Sequence, residues 1–444
     1  MQLKHLTLTH MRAFDQAEFT FQSGINLIVG INGVGKSTVL DALRILLSQA
    51  SPKLSRSRSQ PLDFETLDIT LGQGALTAEL KFELAETPFT YLVHQPRERY
   101  ITDSDRADEV HDQAYEAVER HDLLPSEQKI SKALKNADEQ PLALYFSPRR
   151  ALASHTAAKR QTKGITAAFA DALDHRELRL MEFADWWLAQ TALAAEGAPL
   201  ARRHLEVLAE AVTSIIDTCS NVRAERETFT YQDKQGKQSK RNSTTLLIDK
   251  SDTTLDVRQL SDGERGMLAL VLDLARRLSQ ANPGLDDPLS QGKAVVLIDE
   301  LDLHLHPRWQ RTIVQKLTHT FPNCQFIATT HSPLVIGEVE PAGLTLLRQE
   351  GDRVSVIQGG LQGFGLDSSW ILEHLMGTDS RNPKVQAQIN QIEDALEEGE
   401  LDLARDDLDV LRSMIHGDDD EVIRLEASIN NLEALADAVD TEEE

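Results

Sequence analysis

The chain of 444 residues has only two cysteines, Cys219 and Cys324, which excludes a disulfide framework and any zinc site built on paired cysteines. Long hydrophobic runs are also missing, because the longest, Met267 to Ala275 and Ala294 to Ile298, are too short to span a bilayer. The opening MQLKHLTLTH alternates apolar and polar residues and lacks the apolar segment of a signal peptide. These absences predict a soluble, cytoplasmic protein with no membrane partner.

Positive charge is outnumbered, since 46 lysine and arginine residues against 71 acidic residues give a net charge of −25 at pH 7. Residues 380–444 contribute much of this excess, with 20 acidic and 5 basic residues. Such acidity argues against attraction of nucleic acid to the surface as a whole. Contact with DNA would depend on three basic stretches, Ser51 to Ser59, Arg149 to Lys163 and Lys234 to Arg241, each of which could instead be a solvated loop.

A glycine-rich stretch, GINGVGKST, lies between a predicted strand and a predicted helix. The apolar run Ile25 to Val29 precedes it, and apolar residues recur at helical spacing after it. Strand, glycine loop and helix are the context that the phosphate-loop pattern requires, since the glycines turn backbone N–H groups toward an anion. The predicted nucleotide-binding residues of the loop are Gly30, Asn32, Gly33, Gly35, Lys36, Ser37 and Thr38.

Within that pattern, Lys36 is expected to reach the β- and γ-phosphates, and the Ser37 hydroxyl to ligate Mg²⁺. The run VVLIDE supplies the acidic partners, because an apolar strand places Asp299 and Glu300 at its carboxyl end, where ligands bind in open α/β sheets. Asp299 is predicted to hold the Mg²⁺ hydration shell. Glu300 is predicted to polarise the attacking water.

Two further motifs flank that strand in the chain. LSDGE places Ser261 and Gly263 where a helix begins, which is either an anion site or an ordinary capped helix start. THS ends the next predicted strand and places His331 beside Asp299, where it either contacts the γ-phosphate or has a structural role.

In this order, GINGVGKS, LSDGE, VVLIDE and TTHS resemble the Walker A, signature, Walker B and switch-histidine motifs of the ABC ATPases. The branch is the one shared by the SMC, RecF and OLD proteins. The resemblance implies an α/β fold: a P-loop ABC ATPase head with a mostly helical insertion and a C-terminal acidic helical extension. It also implies that Arg12 lies near the nucleotide, and it accounts for His304 and His306 as part of a D-loop rather than a metal site.

In these ATPases, ATP lies between two protomers, with the phosphate loop of one facing the signature of the other. The resemblance therefore implies that Ser261, Gly263 and Glu264 act on ATP held by the Lys36 of a second copy. Hydrolysis of ATP would then require at least a homodimer, or a higher oligomer, with Glu300, His331 and Lys36 as the catalytic residues and ATP and Mg²⁺ as cofactors.

Four segments are predicted, and two family features are missing from them. Residues 1–95 and 251–379 form the two parts of the ATPase head, 96–250 a mostly helical insertion with a basic hairpin, and 380–444 the tail. The insertion is too short for the long coiled coil of SMC proteins, and no TOPRIM nuclease pattern follows the head. The Q-loop glutamine is left open between Gln60, Gln73 and Gln95.

A head of this size without coiled coil or nuclease most resembles the ATPase subunit of Septu-type anti-phage systems, relatives of which accompany some retrons. That resemblance implies control of a partner HNH nuclease, with DNA or a retron nucleic acid as a further partner. The alternative is a RecF-like repair ATPase that clamps DNA in its ATP state. A transporter subunit fits less well, because the signature differs from LSGGQ.

Overall fold

The structure, a computed structural model, describes residues 1–97, 140–151, 164–175, 180–232, 238–351 and 353–443. The chain divides into two compact units, Met1–Leu366 and Asp367–Glu444. No helix in the described part of the chain is long and apolar enough to cross a membrane. The boundaries predicted at residues 95, 250 and 379 stay predictions.

Strands are confined to the first unit among the described residues. They are β1 (Gln2–Met11), β2 (Phe14–Thr20), β3 (Ile25–Val29), β4 (Ala75–Leu84), β5 (Thr87–Pro96), β6 (Leu142–Phe146), β7 (Cys219–Gln232), β8 (Gln238–Lys250), β9 (Thr253–Asp256), β10 (Ala294–Ile298), β11 (Gln325–Thr330), β12 (Leu344–Glu350) and β13 (Arg353–Gln358). They form three sheets, with orders β2-β1-β4-β5, β13-β12-β3-β11-β10-β6 and β7-β8-β9.

Helices occur in both units. Those of the first unit are α1 (Lys36–Leu54), α2 (Leu180–Ala195), α3 (Pro199–Ile215), α4 (Asp262–Ala281), α5 (Pro288–Gln291), α6 (Pro307–Gln310), α7 (Ile313–Thr320) and α8 (Pro333–Ile336). Short 3-10 helices cover Thr66–Asp68, Pro148–Ala151, Gly164–Phe169, Val257–Gln259 and Pro341–Gly343. Those of the second unit are α9 (Ser368–His374), α10 (Pro383–Glu398), α11 (Leu401–Met414) and α12 (Asp420–Glu443).

The six-stranded sheet is parallel over β12, β3, β11, β10 and β6, and only β13 runs antiparallel. All five residues of β10 are buried, as an apolar strand covered on both faces should be. Because parallel strands end at the same edge, the residues that follow β3, β6, β10 and β11 meet there. Residues 96–250, which are predicted as a mostly helical insertion, also supply β6, a strand of this sheet.

Helix α1 packs between the central sheet and the antiparallel sheet of β1, β2, β4 and β5. Val39, Leu43, Leu46 and Leu47 of the helix are buried in one core cluster, which confirms the predicted helical face. The same cluster contains side chains from both sheets, such as Leu6, Leu80, Val295, Leu297 and Ile327. Helix α1 is thus held against two sheets, which also fixes where the loop before it ends.

Apolar residues recur every fourth position from Trp309 to Phe321 and predict one helix after Pro307, but the structure divides it into α6 and α7. The amide of Thr312 donates to the carbonyl of Trp309 at 3.1 Å, a three-residue spacing that tightens the turn between the two helices. The predicted hairpin, in contrast, is confirmed, since β7 and β8 pair antiparallel. Its tip, residues 233–237, and most of the basic stretch 149–163 lie outside the described residues.

The second unit has a core of its own. Helices α10, α11 and α12 bury eight side chains against one another: Ile389, Ile392, Ala395, Ala404, Leu408, Leu411, Leu425 and Ile429. Three other apolar side chains of α12 are not part of this core, since Ile423, Leu432 and Leu435 are 59%, 38% and 62% exposed. That helix has more apolar residues than one face can hold, and the face that recurs at Leu425 and Ile429 is the one that packs.

Candidate functional site

The loop between β3 and α1 has a backbone that requires glycine. Gly30, Gly33 and Gly35 have φ of 156°, 81° and 109°. A Cβ on Gly30 would lie 2.6 Å from the carbonyl oxygen of Leu347, and one on Gly35 would lie 2.9 Å from the ring of Phe14. Close packing at Gly30 and Gly35 and the positive φ of all three residues explain the spacing of the glycines. Because the loop follows β3, it lies at the edge of the central sheet.

Lys36, the first residue of α1, is buried and folds back over this loop. Its Nζ donates to the carbonyl oxygens of Gly30 at 2.8 Å and Ile31 at 2.9 Å. Burial lowers the pKa of Lys36 to about 8, and the charges of Asp299, Glu300 and Asp302 offset only part of that effect. An ammonium held among carbonyl oxygens at a helix start is placed to meet phosphate oxygens at the same loop.

Asp299 follows β10 and connects two other elements. The Ser37 hydroxyl donates to its Oδ2 at 3.0 Å, and the Thr329 hydroxyl donates to its Oδ1 at 2.6 Å. A hydroxyl and a carboxylate are the hard oxygen donors that Mg²⁺ selects, so the pair fits the predicted metal. In the described part of the chain, no group of three or more His, Cys, Asp or Glu side chains forms an alternative metal site.

Glu300 has a left-handed backbone, with φ of 51°. Thr329 holds this conformation from one side, because its hydroxyl accepts the amide of Glu300 at 2.8 Å and its carbonyl accepts the amide of Leu301 at 2.8 Å. A non-glycine residue keeps such a conformation only where its surroundings fix it. The half-buried Glu300 side chain therefore leaves the end of β10 in a defined direction.

His331 follows β11 and lies near the charges of Lys36, Asp299, Glu300 and Asp302. Its amide donates to Oδ1 of Asp302 at 3.3 Å, and Asp302 also accepts the hydroxyl of Thr330. Burial, followed by the charge of Lys36, lowers the pKa of His331. A lowered pKa leaves the imidazole neutral at pH 7, when one ring nitrogen donates and the other accepts.

Arg12 lies at the turn between β1 and β2, beside the first turn of α1. Its guanidinium pairs with Asp41 at 2.9 Å and Asp68 at 2.8 Å, and its Nη1 lies 3.4 Å from the hydroxyl of Thr38. Burial would lower the pKa of Arg12, but the two carboxylates raise it. The structure thus places Arg12 near the loop, with its charge directed to its own chain's carboxylates.

The LSDGE residues form the start of α4. Ser261 is its N-cap, the Ser261 hydroxyl donates to the Glu264 carboxylate at 2.8 Å, and Lys250 of β8 holds the other carboxylate oxygen. Gly263 packs against the loop after β10, where a Cβ would lie 2.2 Å from the His304 carbonyl oxygen. The hydrogen bonds recorded for these residues do not reach the phosphate loop of the same chain.

Three important residues were not singled out from the sequence. Thr329 lies within the TTHS motif and Asp302 two residues after VVLIDE, but their role as hydrogen-bond partners depends on neighbouring strands. Arg150 lies in a stretch interpreted as a basic island, yet its buried side chain reaches the end of β10. Of the three Q-loop candidates, Gln60, Gln73 and Gln95, none lies on the central sheet.

The histidines after β10 have local roles. His304 has φ of 60°, and its carbonyl is the one against which Gly263 packs. The side chain of His306 accepts the amide of Arg308 at 3.2 Å and caps α6. These contacts give both residues a structural function in the loop between β10 and α6, which packs against the start of α4.

Comparison with known proteins identifies relatives of the whole chain. The model of a family described as “AAA domain, putative AbiEii toxin, Type IV TA system” matches residues 25–337. “Retron Ec83 probable ATPase” of Escherichia coli is 26% identical over 86% of this chain and 78% of its own length. “Septu protein PtuA” of Bacillus thuringiensis is 23% identical over 89% of each chain. The predicted resemblance to retron and Septu ATPases is therefore confirmed.

One solved structure of similar shape is the SMC head domain from Thermotoga maritima. It is 15% identical, covers 81% of this chain and 100% of its own, and has a TM-score of 0.41. A score at that level adds nothing to the fold derived above. The α/β assignment follows from the strand order and the position of the loop at the sheet edge.

The pKa of Lys36 leads to a testable pH dependence. Below pH 8 the lysine is charged before ATP arrives, whereas above pH 8 binding must first recover a proton. We expect the Kd for ATP, measured by fluorescent-nucleotide titration, to rise by roughly tenfold between pH 7.5 and 9.5. Lys36→Arg stays charged throughout, so its Kd should not change with pH. A flat profile for the wild type would show that the Lys36 proton is not linked to binding.

Proposed function

We infer the function from family membership, because this chain belongs to the AAA domain family described as “AAA domain, putative AbiEii toxin, Type IV TA system”. The chain is an ATPase. The observation that carries this proposal is the arrangement at one sheet edge: Lys36 and Ser37 from the loop, Asp299 and Glu300 after β10, and His331 after β11. These are the parts that binding and hydrolysis of a nucleoside triphosphate require.

The loop and Lys36 bind the phosphates. Backbone N–H groups at the start of α1 face the phosphate oxygens, and the ammonium of Lys36 adds positive charge next to the β- and γ-phosphates. Ser37 and Asp299 would hold Mg²⁺, which when bound neutralises phosphate charge and orients the oxygens. Asp299 is already directed toward Ser37 by the Thr329 hydroxyl, so little rearrangement is needed.

Glu300 and His331 act on the γ-phosphate. Glu300 takes the proton of the attacking water, and its fixed backbone keeps the carboxylate directed at that water. His331, which is neutral at pH 7, donates a hydrogen bond to the phosphate as charge builds up there. Both residues follow adjacent parallel strands, β10 and β11, so they leave the sheet at the same edge.

The complete site requires a second protomer. Ser261 and Gly263 begin a helix whose polar contacts are local, with Lys250 and Glu264, rather than with the chain's own phosphate loop. The positive end of a helix dipole at this start is suited to bind the γ-phosphate of ATP held by a partner copy. The proposal is a homodimer, or a higher oligomer, that closes around ATP.

The ATPase controls a partner nuclease of the HNH type in anti-phage defence. The names of the retron and Septu relatives support this assignment, as does the absence of a recognisable nuclease motif in the sequence. The second unit, with 20 acidic and 5 basic residues from position 380 onward, would guide a basic partner electrostatically. DNA or a retron nucleic acid is the proposed signal.

Glu300→Gln tests the general base. The amide keeps the size and polarity of the side chain but cannot accept a proton, so ATP should still bind while phosphate release falls by roughly 10²-fold or more. A stable ATP-bound dimer should accumulate, which size-exclusion chromatography with light scattering can detect. Near-normal phosphate release from this variant would remove Glu300 from the role.

Mixing two inactive variants tests the shared site. Lys36→Ala lacks the phosphate ligand and Ser261→Arg blocks the signature, so a mixed dimer keeps one intact site. For a symmetric dimer with independent sites, random mixing should restore about a quarter of the wild-type ATPase rate. No recovery in mixtures shown to co-assemble would contradict a site shared between protomers.

A plaque assay tests the defence assignment. Cells that carry the gene with its native neighbours should resist phage, and Glu300→Gln should raise plaque numbers to those of cells without the gene. The amounts of wild-type and variant protein in the cells should be compared, so that a lower protein level is not mistaken for a loss of protection. Unchanged phage plating together with sensitivity to DNA-damaging agents would instead favour the RecF-like repair alternative.

A further inference from the structure

Arg150 lies in the 3-10 helix Pro148–Ala151, directly after β6, and its side chain is directed at the end of β10. Its Nη1 donates to the carbonyl oxygen of Asp299 at 2.8 Å, and its Nη2 donates to that of Glu300 at 2.7 Å. A longer contact of 3.4 Å reaches the carbonyl of Leu301. One guanidinium therefore binds the backbone of both acidic residues of the site.

The backbone that Arg150 binds is the part of the site with the strained residue. Glu300 has φ of 51°, a left-handed conformation that is strained for a residue with a side chain. Thr329 fixes the amide side of this turn, since it accepts the amides of Glu300 and Leu301. Arg150 fixes the carbonyl side, so the two residues together determine the rotation of both peptide planes.

An arginine at this position has an energetic cost, because its charged side chain is buried. The side chain is 5% exposed, and burial lowers the pKa of Arg150 to about 10, with Asp302, Glu300 and Asp299 opposing that effect. The group stays charged at pH 7, so a full positive charge is buried. A neutral donor would satisfy one carbonyl with less desolvation, but only the planar fork of arginine reaches two neighbouring carbonyls at fixed geometry.

We propose that Arg150 is a positioning residue for ATP hydrolysis, which sets the direction of the Glu300 carboxylate by holding the Asp299 and Glu300 carbonyl groups. The inference rests on the proposed ATPase function. Arg150 contacts neither the nucleotide nor the water in this role, and it acts through Glu300. Because the phosphate loop binds ATP independently of these carbonyls, Arg150 should affect turnover more than binding.

Arg150→Lys tests this directly, because lysine keeps the charge but can align with only one carbonyl at a time. We expect kcat to fall by roughly 30-fold while KM and the Kd for ATP change by less than about threefold. Arg150→Met, which removes the charge at similar size, should fall at least as far. A kcat within about threefold of wild type for Arg150→Lys would overturn the proposal.

A double variant separates positioning from an independent role. If Arg150 acts only through Glu300, then Arg150→Lys combined with Glu300→Gln should hydrolyse ATP no more slowly than Glu300→Gln alone. Losses that multiply in the double variant would contradict the proposal, since they would show that Arg150 contributes without Glu300. Single-turnover phosphate release gives both rates on one scale.

Arg277→Lys is the matched control for burial. Arg277 is 1% exposed, pairs with Asp273 at 2.8 Å and donates to the carbonyl of Ala170 at 3.0 Å, and neither partner is a residue of the proposed site. The control should lower the melting temperature about as much as Arg150→Lys does, yet leave kcat unchanged. If kcat fell equally in both variants, loss of packing would explain the result and the positioning role would be rejected.

The outcomes also separate this inference from the function on which it rests. Absence of ATP hydrolysis by the wild type would reject the ATPase proposal itself. Hydrolysis by the wild type that depends on Glu300 but not on Arg150 would reject only the positioning role. If neither Arg150 variant folds, the arginine is required for the fold and the positioning role is likewise withdrawn.

Discussion

The Asp299 carboxylate is the group on which the rest of the site depends. It accepts hydrogen bonds from Ser37 at the start of α1 and from Thr329 in β11, and so joins the phosphate loop to the central sheet. The carboxylate cannot shift on its own, because β10 is wholly buried between β11 and β6. A buried carboxylate without such donors would be costly, so the polar atoms that prepare the site also fix the position of α1 against the sheet.

The signature serine has a competing role within its own chain. Its hydroxyl donates to Glu264, whose carboxylate is also held by Lys250 of the β7-β8-β9 sheet. To bind a partner's γ-phosphate, that hydroxyl must leave Glu264, and the exposed surroundings make the exchange inexpensive. In the proposed dimer, Lys250 would keep Glu264 in place during the exchange and so connect the hairpin sheet to the signature. The capped helix start and the anion site, alternatives in the sequence, would then be two states of one residue.

The sequence predicts the features of this structure that depend on neighbouring residues in the chain, but not those that depend on contacts between distant segments. The loop glycines, the apolar β10 and the parallel strands follow from local patterns, and the structure has them as expected. Thr329 and Arg150 were missed because their partners lie on neighbouring strands that no local pattern identifies.

A protein with a net charge of −25 binds a polyanion only through local geometry. At this sheet edge Asp299, Glu300 and Asp302 lie close together, which would repel phosphate. Lys36 and Arg150 oppose them: the lysine lies at the loop, and the arginine donates to the backbone after β10. Burial makes each of these charges act strongly over a short distance, because little solvent screens them. In the proposed site, this division of positive charge would allow Lys36 to bind phosphate while Arg150 holds the proposed general base, Glu300, in place.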